Sequence, residues 1–246
     1  MTAGRHVEHC MGTVFSFDIR DPGVEDRTVE QAVALLHGID ATFSTYRSGS
    51  VVSRLARGEI RPEDTSAEVQ YVLAECARWE QATGGWFSAY ATGVPDPCGF
   101  VKGWAVQRVS DLLVAAGSTS HSVNGGGDVQ CVGDARDGRP WRVGISDPRD
   151  HARLVATVTG AGIAVATSGT SERGRLINNP HTGLPAESPL LSLSLTGRSI
   201  VLCDVYATAG FAMGAAARAW LTGLSGVHAL AVEQDGVTWS TFPAPA

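Results

Sequence analysis

The chain has 246 residues, 43% hydrophobic and only 18% charged, which is enough apolar side chain for one large core and too little charge for a disordered chain. A net charge of -6 and the lack of any Lys/Arg run argue against nucleic acid or an anionic membrane as partner, yet allow a small phosphorylated ligand held by backbone N–H groups and a cation. Five scattered cysteines without a CxxC pair, an N-terminus unlike a signal peptide and no unbroken apolar run of about 18 residues set the expectation of a soluble, cytoplasmic protein, with residues 1–246 as one domain.

Thr13 to Ile19 alternates as a half-buried strand, and a helix capped by Asp26 follows, with Val29, Ala32, Val33, Leu36, Ile39 and Phe43 on one face. The polar loop Ser44 to Ser50 comes next. Thr65 and Glu68 form a capping box for a second helix that stops at Gly84-Gly85. Trp86 to Phe100 reads as an irregular loop leading into a helix with Val106, Val109, Leu112 and Leu113 on one face, closed by Gly117. The chain then turns strand-rich: His121 to Val123 and Val129 to Val132 flank Asn124 to Asp128, and strands are expected at Trp141 to Ile145, Leu154 to Val158 and Ile163 to Ala166. Leu190 to Leu195 and Ser199 to Leu202 read as a hairpin around Gly197-Arg198, and Val227 to Val232 with Val237 to Thr241 as a closing hairpin around Asp235-Gly236. Early helices and late hairpins give an α+β class with antiparallel sheets rather than a doubly wound sheet.

Between those last two hairpins an Ala-rich helix runs through Leu221. Asp204 then falls at a strand-to-helix corner, with Thr208 one turn on and on the same face. Two hard oxygen ligands there suit a magnesium ion shared with a phosphate; the alternative is that Asp204 only caps the helix. Asn124-Gly125-Gly126-Gly127-Asp128 places bare backbone at a strand end, serving either close ligand approach or a hairpin turn. Thr167-Ser168-Gly169-Thr170-Ser171 offers hydroxyls and N–H donors beside Arg173 and Arg175, a phosphate pocket or a polar surface loop. No GxGxxG opens a helix and no GxSxG elbow occurs, so neither a Rossmann site nor a hydrolase triad is supported; His121 and His181 are the histidines near these loops.

Taken in order, the loops resemble those of the ApbE-type FAD:protein FMN transferases. The resemblance runs from about Met11 to Gly214 through Met11-Gly12-Thr13, Phe43-Ser44-Thr45-Tyr46, Thr83-Gly84-Gly85-Trp86-Phe87, Lys102-Gly103-Trp104-Ala105-Val106, Asn124 to Asp128, Ala166-Thr167-Ser168-Gly169, Asn179-Pro180-His181-Thr182-Gly183 and Asp204-x-x-Ala207-Thr208. It implies a T-fold-related architecture with a cleft between two lobes. It further implies FAD contacts from Met11, Tyr46, Ser88, Ala89, Tyr90, Asp96 and Lys102, with Gly126, Asp128, Thr167, Ser168 and Gly169 lining the same cleft. Magnesium would be held by Asp204 and Thr208 with the Gly99 carbonyl, and FMN would pass from FAD to a Ser or Thr of an acceptor protein with release of AMP. Three positions depart from the family pattern: Leu176 stands where members usually carry His, and Gln107 and Ser88 where they usually carry Asp. His181 is the candidate substitute for the missing base. An FAD-binding protein without transfer, an FAD pyrophosphatase and an enzyme recruited to another small molecule are the alternatives.

Overall fold

The computed structural model describes residues 4–170 and 177–243. Its frame is an eight-stranded antiparallel sheet in the order β1-β2-β3-β4-β7-β8-β9-β10, with β1 (Arg5–Cys10), β2 (Thr13–Ile19), β3 (His121–Gly125), β4 (Asp128–Val132), β7 (Ala164–Gly169), β8 (Leu190–Gly197), β9 (His228–Glu233) and β10 (Thr238–Ser240). A separate two-stranded ribbon pairs β5 (Trp141–Asp147) with β6 (Asp150–Gly160). Helices α1 (Asp26–Phe43), α4 (Cys98–Ala115) and α5 (Ile200–Met213) pack together against the sheet, joined by α2 (Val51–Ala56), α3 (Ala67–Ala82) and α6 (Ala217–Thr222). The inward positions of β2, Phe15, Phe17 and Ile19, alternate as the sequence requires and enter the main core with Leu36, Phe43, Val106, Leu193 and Phe211.

Several sequence expectations shift. Glu25, not Asp26, precedes α1. Ser66 replaces Thr65 as the cap of α3, its Oγ accepting the Val69 N–H at 3.4 Å, because the preceding 3₁₀ turn Pro62–Asp64 carries the chain one residue further. β1 and α2 add to the expected elements, and α4 begins at Cys98 inside the stretch read as loop. The largest correction concerns Ser199 to Leu202. It is not the second strand of a hairpin but the start of α5: Ser199 Oγ caps the Leu202 N–H, and the wholly buried Ile200 donates its N–H to Gln130 Oε1 at 3.1 Å. Helix α5 is apolar on nearly every side because the sheet and α4 enclose it. Ile200–Thr222 is consequently long and apolar enough to cross a membrane by composition, although 61% of its most apolar window is buried within the protein, as in a core helix.

The triple glycine also resolves. Gly126 (φ 61°) and Gly127 (φ 95°) form the two-residue turn of the β3–β4 hairpin, closed by the Gly127 N–H on Asn124 Oδ1 at 2.9 Å. Gly125 is there for packing: a Cβ would lie 2.6 Å from the Phe15 ring and 2.8 Å from Val106 Cγ2.

Candidate functional site

The site follows from how closely α4 and α5 approach. Gly99 and Gly103 lie one turn apart on α4, and Thr208 and Asp204 lie one turn apart on the facing side of α5. A Cβ on Gly103 would sit 2.9 Å from both Cβ and Oδ2 of Asp204, and one on Gly99 would sit 3.5 Å from Thr208 Cγ2. Gly103 makes room for the Asp204 side chain, whereas a Cβ on Gly99 would crowd the Phe87 ring at 3.1 Å and meet Thr208 in ordinary contact. Asp204 is only 2% exposed and caps nothing: it stands in the second turn of α5, where its Oδ2 accepts the Gly103 N–H at 2.8 Å across the helix pair. In a regular α-helix that N–H would point at the Gly99 carbonyl.

A second buried carboxylate lies behind the first. Asp128, completely buried at the turn end of β4, contacts the ammonium of Lys102, and its Oδ1 accepts the Thr167 N–H at 3.2 Å. The same Lys102 Nζ is 3.7 Å from Asp204 Oδ1. One ammonium lies within ion-pair reach of two carboxylates in a poorly hydrated place. The field is felt nearby: burial first, then the charges of Asp128 and Asp204, push the Cys203 thiol up to about 12. Thr208 Oγ1 lies 3.4 Å from Ser168 Oγ on β7, so hydroxyls border the carboxylates. Carboxylate, hydroxyl and backbone carbonyl oxygens are the donors a hard divalent cation takes, and these residues fit magnesium.

Asp204, Thr208, Lys102 and Gly99 face a cavity of about 370 Å³. Thr167, Ser168 and Gly169 of β7, and Ser88 and Asp96 from the loop before α4, line it as well. Asp96 shapes that loop, its Oδ1 accepting the Cys98 N–H at 3.1 Å. The structure therefore unites most of the sequence-derived candidates, from segments about 100 residues apart in the chain.

Other candidates lie elsewhere. Met11, Tyr46, Ala89, Tyr90, Gly126 and Asp128 do not line the cavity. Met11 holds a left-handed turn conformation (φ 55°) between β1 and β2, Tyr46 and Tyr90 are exposed, Ala89 is buried in the core, Gly126 serves the hairpin turn, and Asp128 acts through Lys102. His181 sits at the rim, its ring edge-on to Trp86 with centroids 4.5 Å apart and its backbone N–H on Asn179 Oδ1; Trp86 lines the cavity, His181 does not. His121 is a satisfied core histidine, bonded to Ser110 and Ser118 at 2.9 Å each. Ser171, Arg173, Arg175 and Leu176 lie outside the described residues. The cavity also takes in Phe87 and Pro180 from the quoted motifs, and Cys98, Ile177 and Asn178, which carry no spacing that marks them in the sequence.

The model of the ApbE family matches residues 11–94 and 95–231. An FAD:protein FMN transferase of Vibrio cholerae is 25% identical over 83% of this chain and 79% of its own length. One of Rhodobacter capsulatus is 33% identical over 59% of this chain and 32% of its own length. Among solved structures, the flavin transferase ApbE from Vibrio cholerae superposes with a TM-score of 0.81 at 23% identity, covering 97% of both chains. The ApbE protein of Thermotoga maritima gives 0.82 at 21% identity and 96% coverage of each.

Proposed function

The chain belongs to the ApbE family, and on that premise we propose that it transfers FMN from FAD onto a Ser or Thr hydroxyl of an acceptor protein, with magnesium, releasing AMP. The observation that carries this reading is the glycine pair of α4 facing Asp204 and Thr208 of α5 at the wall of one cavity. The relatives' names support flavin transfer as the reaction class.

In this reading the acceptor oxygen attacks the phosphorus on the FMN side of the FAD pyrophosphate. The new bond is a phosphoester to the acceptor, the bond to the bridging oxygen breaks, and AMP leaves with that oxygen while the hydroxyl proton passes to solvent or to a base at the rim. Magnesium, held by Asp204, Thr208 and the Gly99 carbonyl, would neutralise the pyrophosphate and polarise the phosphorus. Lys102 adds fixed positive charge at the same wall, and the hydroxyls of Thr167 and Ser168 offer donors to phosphate oxygens. The chain's part is to hold the dinucleotide in line and to supply charge where negative charge builds up. His181, packed on Trp86 at the rim, is the proposed proton acceptor in place of the family histidine.

Leu176, at the position of that histidine, favours one second reading, an FAD-binding protein that no longer transfers. The two part on AMP. Incubation with FAD, Mg²⁺ and an acceptor protein, with chromatography of the nucleotides, yields AMP under the first reading in the unsubstituted protein and not in Asp204→Asn. Tight FAD binding with no AMP in the presence of acceptor would favour the second.

A further inference from the structure

β1 is an edge of the large sheet, paired with β2 on one side only. The Ile19 N–H donates to the Gly4 carbonyl at 3.1 Å, and in an antiparallel pair residues of one parity turn both backbone groups toward the partner strand. Gly4, His6, Glu8 and Cys10 therefore face β2, and the N–H and C=O groups of Arg5, Val7 and His9 point away from the sheet. None of these outward groups has a hydrogen-bond partner among the described residues. Such an edge is a template for one more strand.

Beside it, between β1 and α1, opens a second cavity of about 550 Å³, which shares no lining residue with the first. Ile19, Val24, Val29 and Val33 give it apolar walls. Asp26 and Glu30, one turn apart on the exposed side of α1, line it with carboxylates that have no ion-pair partner among the described residues. His6 Nε2, on the same wall, is sealed from solvent yet makes no hydrogen bond, standing 3.5 Å from Glu8 Oε2. The other charges of the wall are engaged, Arg5 with Asp18 and Glu8 with His37.

We infer that this edge and cavity dock an extended segment of a partner protein, bearing lysine or arginine at alternate positions, as an antiparallel strand beside β1. Its backbone pairs with Arg5, Val7 and His9, and its inward side chains lay apolar stems on Val29 and Val33 and bring cationic ends to Asp26 and Glu30. A second copy of this chain, paired edge to edge about a two-fold axis, would instead set Asp26 and Glu30 against their own counterparts. The inference does not depend on flavin transfer.

The probe is a short, end-capped, fluorescein-labelled peptide of alternating lysine and threonine, titrated with the whole protein at low salt and followed by fluorescence anisotropy; saturable binding is expected. The same peptide N-methylated at its threonines keeps every charge but loses the donors that face β1, and should bind about tenfold more weakly or worse. Val7→Pro removes one outward N–H and spares the ladder to β2, so it should weaken the unmodified peptide by a similar factor, while Val7→Thr should not. Asp26→Asn combined with Glu30→Gln should weaken it about fivefold. Absent binding, or binding indifferent to N-methylation or to loss of both carboxylates, overturns the inference; the N-methylated peptide decides the matter on the unsubstituted protein should Val7→Pro fail to fold. A dimer in sedimentation that Val7→Pro dissociates also overturns it, since the edge is then covered by a second copy.

Discussion

Replacing Gly103 by Ala tests the closeness of α4 and α5 on which the site depends. In an ordinary helix interior the change stabilises by about 1 kcal/mol, because glycine carries the larger backbone entropy cost. Here the new methyl would lie 2.9 Å from Asp204 Cβ and Oδ2, inside a core where both helices are buried. Overpacking of that kind costs roughly 1–3 kcal/mol, and losing the Gly103 N–H bond to a carboxylate costs about 1.5–3 kcal/mol more. Subtracting the propensity gain leaves a net loss of about 1.5–5 kcal/mol, and Tm falls by some 3 °C or more for a chain of this size. Gly38 supplies the control: it lies in α1 with nothing within 4 Å of a built Cβ, so Gly38→Ala should stabilise by about 1 kcal/mol. Thermal and urea denaturation of the two variants measure both numbers. If Gly103→Ala stabilises as Gly38→Ala does, the helices are not as close as described and the account of the site falls.

Other outcomes follow from the same structure. Thr208→Val keeps volume and removes the hydroxyl near Ser168, so it should retain the fold by circular dichroism while AMP release drops by at least about tenfold; unchanged turnover would dismiss Thr208 as a ligand. Gln130→Ala leaves the buried Ile200 N–H without its acceptor and should cost about 1–3 kcal/mol in urea unfolding, with no loss denying that Gln130 pins the start of α5. His121, buried between two serines, has its pKa lowered to about 4, chiefly by burial. Below the unfolded value near 6.5 the unfolded chain takes a proton that the native imidazole refuses. Stability is therefore full above about pH 6.5 and declines toward pH 4, by up to about 3 kcal/mol. His121→Gln should flatten that part of the pH–stability curve, and an unaltered slope would remove His121 as its cause.

The sequence carried the local half of the architecture. Alternation gave β2, the i, i+4 spacing paired Asp204 with Thr208, and the glycine stops placed the ends of α3 and α4 within a few residues. Where periodicity vanishes, legibility does too. Ile200-Val201-Leu202-Cys203 is apolar and opens with two β-branched residues, and a helix enclosed on all sides shows the same pattern as a buried strand, so α5 was expected to begin four residues late. That error changed the reading of Asp204: a residue at the helix mouth suggests a cap, whereas one turn deeper it faces Gly103 of another helix. The glycines of α4 look like mere weak spots until α5 lies against them. In the same way, no spacing rule links Lys102, Asp128 and Asp204, which come from a helix, a strand end and a second helix. The triple glycine left a ligand approach and a hairpin turn both open, and the chain uses it for a two-residue turn and one tight contact.

The central claim, that this cavity performs flavin transfer, is tested most directly by covalent flavin. Cells producing the protein, and others producing Asp204→Asn, are lysed and incubated with FAD and Mg²⁺, and the denatured proteins are separated and viewed by in-gel flavin fluorescence, with AMP measured in parallel. The account predicts a flavin-bearing band and matching AMP with the unsubstituted chain and neither with the variant. Flavin that is released entirely on denaturation, with no AMP formed, would contradict it.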